Sequence, residues 1–356
     1  MEILKKLMNC HSVSGDEGRL AELIGRMMEP YCDEMYTDPM GNLICYKKGT
    51  AENAKKLMLA GHMDEIGFIV TGIDDNGFLT IASIGGMHMV SCAYTTVIFE
   101  NGVRGVVVPE ANYGNVFSPD RFRIDIGASS KKEAEKKVKV GDLCANEAHV
   151  TRLSGQIYSG KPFDDKIGCA IMVRAAMELK ECKNDTYYVF TVQEEVGCRG
   201  SKTAAYAIMP DFSLAFDVTG TGDAPKARPM AVKMGGGAAI KVKDSSVICD
   251  RGLVNYLFET AKANKIPAQL EILEAGGTDT SSMQTAGCGS RACAISVPTR
   301  YIHSLNETIS KKDYDACVDL TVKLLETDLN TVKYSDKRRT VFAGGGCRRG
   351  TFRTVS

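Results

Sequence analysis

An α/β protein with a mixed sheet, interrupted by a small all-β unit, is what this sequence predicts, on three observations. Towards both ends, apolar runs of strand length alternate with stretches whose apolar residues recur at helical spacing. Between Phe68 and Phe163 the texture changes to short β runs punctuated by glycine, the pattern of a small barrel or sandwich. Several apolar runs end directly in His, Asp or Glu, as strands do when they feed a ligand-binding crevice at the edge of an α/β sheet.

The elements follow in order. Met1–Met8 reads as a short amphipathic helix rather than a secretory leader. Ser12-Val-Ser-Gly-Asp-Glu17 is a capping signal for a helix over Arg19–Met28, which Pro30 ends. Glu34–Thr37 and Asn42–Tyr46, joined by Asp38-Pro-Met-Gly41, form a hairpin. Lys56–Ala60 is a buried strand. The inserted unit holds β runs at 68–71, 78–82, 95–99, 103–108, 121–126 and 152–158, with Lys131–Lys137 as its one helical stretch. A helix then spans Ile167–Lys180, and a strand spans Tyr187–Val192. Further strands are expected at Asp211–Asp217, Ala238–Val242, Gln269–Leu273 and Ala292–Val297. Helices are expected near 202–208, 251–264 and 311–328. The domains are therefore 1–67 with 163–332, an insert at 68–162, and a basic tail at 333–356 that is expected to be loosely ordered.

Composition excludes several function classes. Lys+Arg and Asp+Glu both number 44, which predicts neither a nucleic-acid nor a membrane partner. Trp is absent, against an open carbohydrate cleft built on indole platforms. No apolar run approaches the roughly 18 residues of a membrane span. The 13 cysteines are odd in number and scattered, several in apolar runs (Cys45, Cys169, Cys293), and no Cys-x-x-Cys pair occurs. That usage predicts reduced thiols, a cytoplasmic location and no structural zinc knuckle. Gly235-Gly-Gly237 lacks the Gly-Lys-Ser/Thr tail of a phosphate loop.

The chemistry is organised around Thr191-Val-Gln-Glu-Glu-Val-Gly197. On extended backbone, Glu194 and Glu195 would point to opposite faces, so that one could hold a metal while the other serves as general base. Most Glu-Glu pairs are solvated surface; four other stretches give this one weight. His62 ends a buried strand, with Asp64 two residues on, placed to accept the second imidazole N–H. Asp164 and Asp165 precede a helix, where carboxylates either cap the helix or bridge cations. Asp217 closes a strand before Val218-Thr-Gly-Thr-Gly222, and His303 lies in Pro298-Thr-Arg-Tyr-Ile-His-Ser304. His88 and His149 are isolated and read as structural. Two His and several carboxylates suit zinc, cobalt or manganese. Two ions are accommodated if His62, Asp164 and Asp217 hold one and Asp164, Glu195 and His303 the other, with Glu194 free as base.

With these stretches in this order, the chain resembles the dinuclear-metal aminopeptidases of metallopeptidase family forty-two, the tetrahedral aminopeptidase group. That group includes glutamyl and deblocking aminopeptidases and proteins labelled endoglucanase. The matching motifs are Gly61-His-Met-Asp-Glu-Ile-Gly-Phe68, Asp164-Asp-Lys-Ile-Gly168, Gln193-Glu-Glu-Val-Gly197, Asp217-Val-Thr219 and Pro298–Ser304. The resemblance implies the ligand set above with Asp164 bridging, and a cis peptide at Asp164–Asp165. It implies a phosphorylase/hydrolase-like three-layer catalytic domain, a PDZ-like inserted β-barrel used in oligomerisation, and a homo-oligomer, a dodecamer of tetrahedral shape. The expected activity is two-metal removal of residues from peptides with a free N-terminus, with Glu194 and Asp64 catalytic. Thr278, Asp279 and Arg300 are expected near the substrate. Lys166 stands where the family more usually has Arg. The alternatives are a glycan hydrolase, with a metal-free carboxylate pair, and a non-catalytic binding protein on the same fold.

Overall fold

The computed structural model describes residues 1–334 apart from 111–117 and 226. The chain opens with α1 (Glu2–Met8), α2 (Gly18–Met28), β1 (Glu34–Thr37), β2 (Leu43–Lys47) and β3 (Lys56–His62). Then come β4 (Gly67–Ile73), β5 (Leu79–Ile84), α3 (Met89–Cys92), β6 (Thr96–Phe99), β7 (Arg104–Pro109), β8 (Phe122–Asp125), α4 (Lys131–Ala134) and β9 (Leu143–Asn146). The chain continues through β10 (His149–Arg152), β11 (Ile157–Lys161), α5 (Lys166–Glu178), β12 (Asp185–Thr191), α6 (Arg199–Ile208) and β13 (Phe212–Thr219). It closes with β14 (Ala238–Lys243), α7 (Arg251–Ala263), β15 (Ala268–Ile272), α8 (Asp279–Thr285), β16 (Arg291–Arg300), β17 (Glu307–Ser310) and α9 (Lys311–Leu325).

Eleven strands form one mixed sheet in the order β1-β2-β12-β3-β13-β16-β17-β11-β10, with β14 and β15 branching from β16. Its centre, β12-β3-β13-β16, is parallel throughout. All four C-terminal ends therefore reach the same edge, where α/β sheets bind ligands. Helices cover both faces. Leu4, Leu20, Ile171, Leu257 and Leu320 belong to the larger core, under α1, α2, α5, α7 and α9. Ala204, Ile208 and Met283 belong to the smaller one, under α6 and α8. The fold is thus three-layered. α5 is buried on nearly every side, as expected of a helix apolar all round. It lies so close to β3 that a Cβ on Gly61 would come within 3.0 Å of the Gly168 backbone.

β4-β5-β8-β7-β6-β9 close into a barrel with a core of its own, including Phe68, Val97, Phe99, Phe122 and Ile124. The segment expected as one strand at 152–158 is instead the end of β10, a turn, and the start of β11. Both pair within the large sheet, β11 alongside β17. Their short, mixed composition suits either sheet; the hydrogen-bond partners decide. A second short helix, α3, joins α4 in the inserted stretch.

The N–H groups of Gly235 and Gly237 donate to Asp313 of α9 at 2.6 and 2.7 Å, so the triple glycine cradles a carboxylate of its own chain. Cys45, Cys169 and Cys293 are buried thiols. Among the described residues no helix is long and apolar enough to cross a membrane. Past Tyr334, the expected tail lies outside the described residues.

Candidate metal centre

Parallel pairing places Thr191, the last residue of β12, in register with His62, the last of β3. Asp217 lies near the end of β13, and β16 ends at Arg300 just before His303. Asp164 reaches the same edge on the loop between β11 and α5, because β11 and β16 both run antiparallel to β17. The peptide between Asp164 and Asp165 is cis, as is Lys161–Pro162.

The two readings of the Asp-Asp pair divide between its members. Asp165 is the N-cap of α5: it accepts from Gly168 N–H at 2.9 Å and from His62 N–H at 3.1 Å. Asp164 faces the imidazoles. Its Oδ1 lies 3.2 Å from His62 Nε2 and its Oδ2 3.3 Å from His303 Nε2. Glu195 Oε2 is 3.4 Å from His303 Nε2, and Glu194 Oε2 is 4.0 Å from His62 Nε2. One carboxylate thus spans two histidines, and a glutamate attends each. Donor atoms of His62, Asp164 and Glu195 lie within 4.8 Å of one another, and so do those of Glu194, Cys198 and Asp279. Asp217, 6 % exposed, belongs to the same charge cluster: burial first and then Asp164 raise its pKa, and His62 lowers it.

Three local expectations are corrected. Glu194 and Glu195 do not alternate along a strand. β12 stops at Thr191, Gln193 takes a left-handed backbone (φ 56°), and both carboxylates turn inward. The Asp64 carboxylate is not the nearest acceptor for His62. His62 Nδ1 lies 3.0 Å from the Asp64 backbone carbonyl and 3.5 Å from Oδ1. The carboxylate instead accepts the N–H groups of Glu194 and Glu195 at 3.0 and 3.1 Å and the Ser14 hydroxyl at 2.6 Å. Nor does the Ser12–Glu17 segment cap α2 through a side chain. Glu17 Oε1 accepts from Gly15 N–H and Gln193 N–H, so this loop braces the Glu-Glu turn.

Of the three positions expected near the substrate, Thr278 caps α8 and is 2 % exposed. Asp279, 3 % exposed, accepts from Thr191 at 2.6 Å and Ser201 at 2.5 Å and sits beside Glu194 and Cys198. Arg300 pairs with Asp223 at 2.6 Å on the more open rim.

Several supporting residues carried no signal in the sequence. Glu307, fully buried, accepts from Phe163 N–H at 2.7 Å and Asp164 N–H at 3.1 Å through one oxygen, and from His303 N–H at 3.2 Å through the other. Lys161 and Lys166 flank buried Glu65 at 3.0 and 3.8 Å; Lys166 also donates to Met63 O and Ser12 Oγ. The barrel reaches the site through Gly85 and Gly86. A Cβ on Gly86 would fall 2.9 Å from His303 Nδ1, and one on Gly85 would fall 3.2 Å from Glu195 Oε2. The Gly85-Gly86 dipeptide is the one signal that could have marked this approach.

Electrostatics reflect crowding of negative charge. Burial first, then Asp279 and Glu195, pushes Glu194 up to about 8. Burial first, then Asp164, pushes Glu195 up to about 8. Burial and Asp164 raise Asp217 well above the usual carboxylate range. Burial works against Asp164 too, but hydrogen bonds from His303 and His62 hold it low. His303 rises to about 10, Asp164 outweighing burial. Two imidazoles do not balance the carboxylates around them. A buried cluster of His and carboxylate donors with surplus negative charge is chemically suited to divalent cations.

Comparison with known proteins agrees with this architecture. The family model for M42 glutamyl aminopeptidases matches residues 41–320. An inferred aminopeptidase of Acetivibrio thermocellus is 46 % identical over 326 residues, covering 91 % of this chain and 98 % of the relative. The crystal structure of a TET aminopeptidase from Thaumarchaeota archaeon SCGC AB-539-E09 superposes with a TM-score of 0.88 at 34 % identity, covering 93 % of this chain and 98 % of that one. Pyrococcus horikoshii TET1 peptidase, whose structure is described as assembling into a tetrahedron or a large octahedral shell, gives 0.81 at 33 % identity, covering 91 % and 98 %.

Proposed function

The chain belongs to the M42 glutamyl aminopeptidase family, and from that premise we propose that it is a dinuclear metalloaminopeptidase acting on peptides with a free N-terminus. The observation that carries this reading is Asp164, with one carboxylate oxygen toward His62 and the other toward His303. His62, Asp164 and Asp217 would hold one divalent ion and Asp164, Glu195 and His303 the other, zinc or cobalt first and manganese as a further candidate. When bound, such a pair polarises a scissile carbonyl and makes water a nucleophile at neutral pH.

The chain's own groups supply the rest. Glu194, outside the ligand set, accepts the proton of the attacking water and returns it to the leaving amine. Asp64 holds the backbone N–H groups of both glutamates, so the base and its neighbouring ligand move together. The Asp64 carbonyl fixes the His62 tautomer by accepting from Nδ1, which leaves Nε2 facing Asp164. Arg300 with Asp223, and Thr278 with Asp279, are proposed to border the substrate. A metal-free glycosidase reading gives the two histidines no role.

We take residues 1–67 with 163–332 as the catalytic unit and 68–162 as the unit serving assembly, with β10 and β11 strapped to the catalytic sheet. The assembly is a homo-oligomer, a dodecamer by analogy with the tetrahedral shell described for the P. horikoshii protein, and the location is cytoplasmic. Light scattering on the purified chain tests the assembly: a monomer would overturn it.

The activity is tested with a free peptide and its N-acetylated twin, incubated with zinc or cobalt, with and without chelator, and followed by mass spectrometry. Stepwise shortening of the free peptide alone, abolished by chelator, is expected. Trimming that survives chelation would overturn the ligand assignment.

Glu307 gives a subtler test. Glu307→Gln replaces an acceptor that aligns Asp164 and His303, and should weaken metal affinity about 10–100-fold. Competition against a chromophoric chelator measures it; wild-type affinity would show that Glu307 does not orient the ligands.

A further inference from the structure

Cys198 touches the site in a way the chemistry above leaves unused. Its Sγ lies 3.2 Å from Glu194 Oε1, with the thiol as donor. The loop is closed around this contact. Gly197 N–H and Cys198 N–H both donate to the Glu194 carbonyl, at 2.8 and 2.9 Å. Ser201 Oγ donates to Asp279 at 2.5 Å and lies 3.2 Å from the Cys198 carbonyl. Cys198 stands at the N-cap of α6 in the left-handed region (φ 50°, ψ 42°), yet its side chain makes no capping bond to the helix. Residues bearing a Cβ avoid that region unless their surroundings over-determine it. Helix capping therefore does not account for a cysteine here, whereas the aim of its thiol at Glu194 does. Burial, with the charges of Glu194 and Asp279, keeps the proton on sulfur and so preserves the donor.

We propose that Cys198 is a positioning residue for Glu194. Its S–H restrains Oε1, so that Oε2, on the His62 side, is the oxygen presented to the reacting water and then to the leaving amine. A thiol is a weak donor. It therefore limits rotation of the carboxylate with little loss of its capacity to take a proton. This inference rests on the reading of Glu194 as base.

Cys198→Ala should lower kcat about three- to tenfold, the worth of one such hydrogen bond, with KM, metal content and melting temperature unchanged. Cys198→Ser, which keeps a donor, should recover most of the loss. The contact also has a readout independent of turnover. In infrared difference spectra against Cys198→Ser, the S–H stretch assigned to Cys198 should lie below that of an unbonded thiol, and should shift in Glu194→Gln. If Glu194→Gln abolishes turnover while Cys198→Ala keeps the wild-type kcat and the stretch is that of an unbonded thiol, the positioning role alone is overturned. A Cys198→Ala loss confined to KM or to metal content overturns it as well. If Glu194→Gln turns over normally, the base reading falls first and this inference falls with it.

Discussion

Glu194→Gln is expected to lower kcat by about 10²–10⁴-fold, the usual worth of a positioned general base, while the protein keeps its metal. The substitution is nearly isosteric and removes only the ability to accept a proton. The turn is held by backbone groups that do not depend on that charge: the bond from Glu194 N–H to Asp64 survives, as do those from Gly197 and Cys198 N–H to the Glu194 carbonyl. The pairs between Asp164 and the two histidines, and between Glu195 and His303, are also untouched. Steady-state kinetics on a free peptide, with metal content by mass spectrometry, separates the two roles. Normal turnover would remove Glu194 from the mechanism; loss of metal would make it a ligand.

Asp164→Ala should abolish both activity and tight metal binding, because it deletes the carboxylate that puts one oxygen toward His62 and the other toward His303. Its stability should also lose its response to metal. In wild type, divalent ions that bind the folded state should raise the melting temperature by mass action; the variant should melt alike with and without chelator. The metal-free wild type carries a pH signature of known sign. Glu194 and Glu195 have folded pKa values of about 8, raised from 4.5, and that of His303 is about 10, raised from 6.5. In each case the folded state binds more protons than the unfolded state between the two values, so stability falls as pH rises through that window. The chelated protein should therefore melt at progressively lower temperature from about pH 5 to pH 9, and added zinc should flatten the curve. Wild-type metal content in Asp164→Ala would end its bridging role.

The helical spacing of apolar residues sufficed for α2 and α5, and continuous apolar runs of strand length sufficed for β3, β12 and β13, which are buried along nearly their whole length. β10 and β11 were not separable in this way. A short extended run does not record which sheet it joins, and the pairing of β10 with β11 and of β11 with β17 draws these two out of the barrel. The residues that cluster at the sheet edge were legible because His, Asp and Glu are conspicuous at the ends of apolar runs. Their partners were not. Glu307 and Glu17 act by accepting backbone N–H groups of residues far along the chain, and Ser14 by donating its hydroxyl to Asp64; any polar side chain of suitable length would look the same in a sequence.

By itself, then, the sequence determined the α/β class, the interruption by a β unit, and the five stretches that meet at the site. Those follow from local periodicity and from residue types that cannot be buried without a purpose. Tertiary structure decided the rest. It made Asp165 the helix cap and Asp164 the group between the histidines. It turned both glutamates inward by ending β12 at Thr191, gave Asp64 the glutamate N–H groups, and brought Gly85 and Gly86 of the barrel against the site. Each of these depends on which backbone atoms a fold brings within about 3 Å of one another, and contacts between distant segments leave no trace in local pattern.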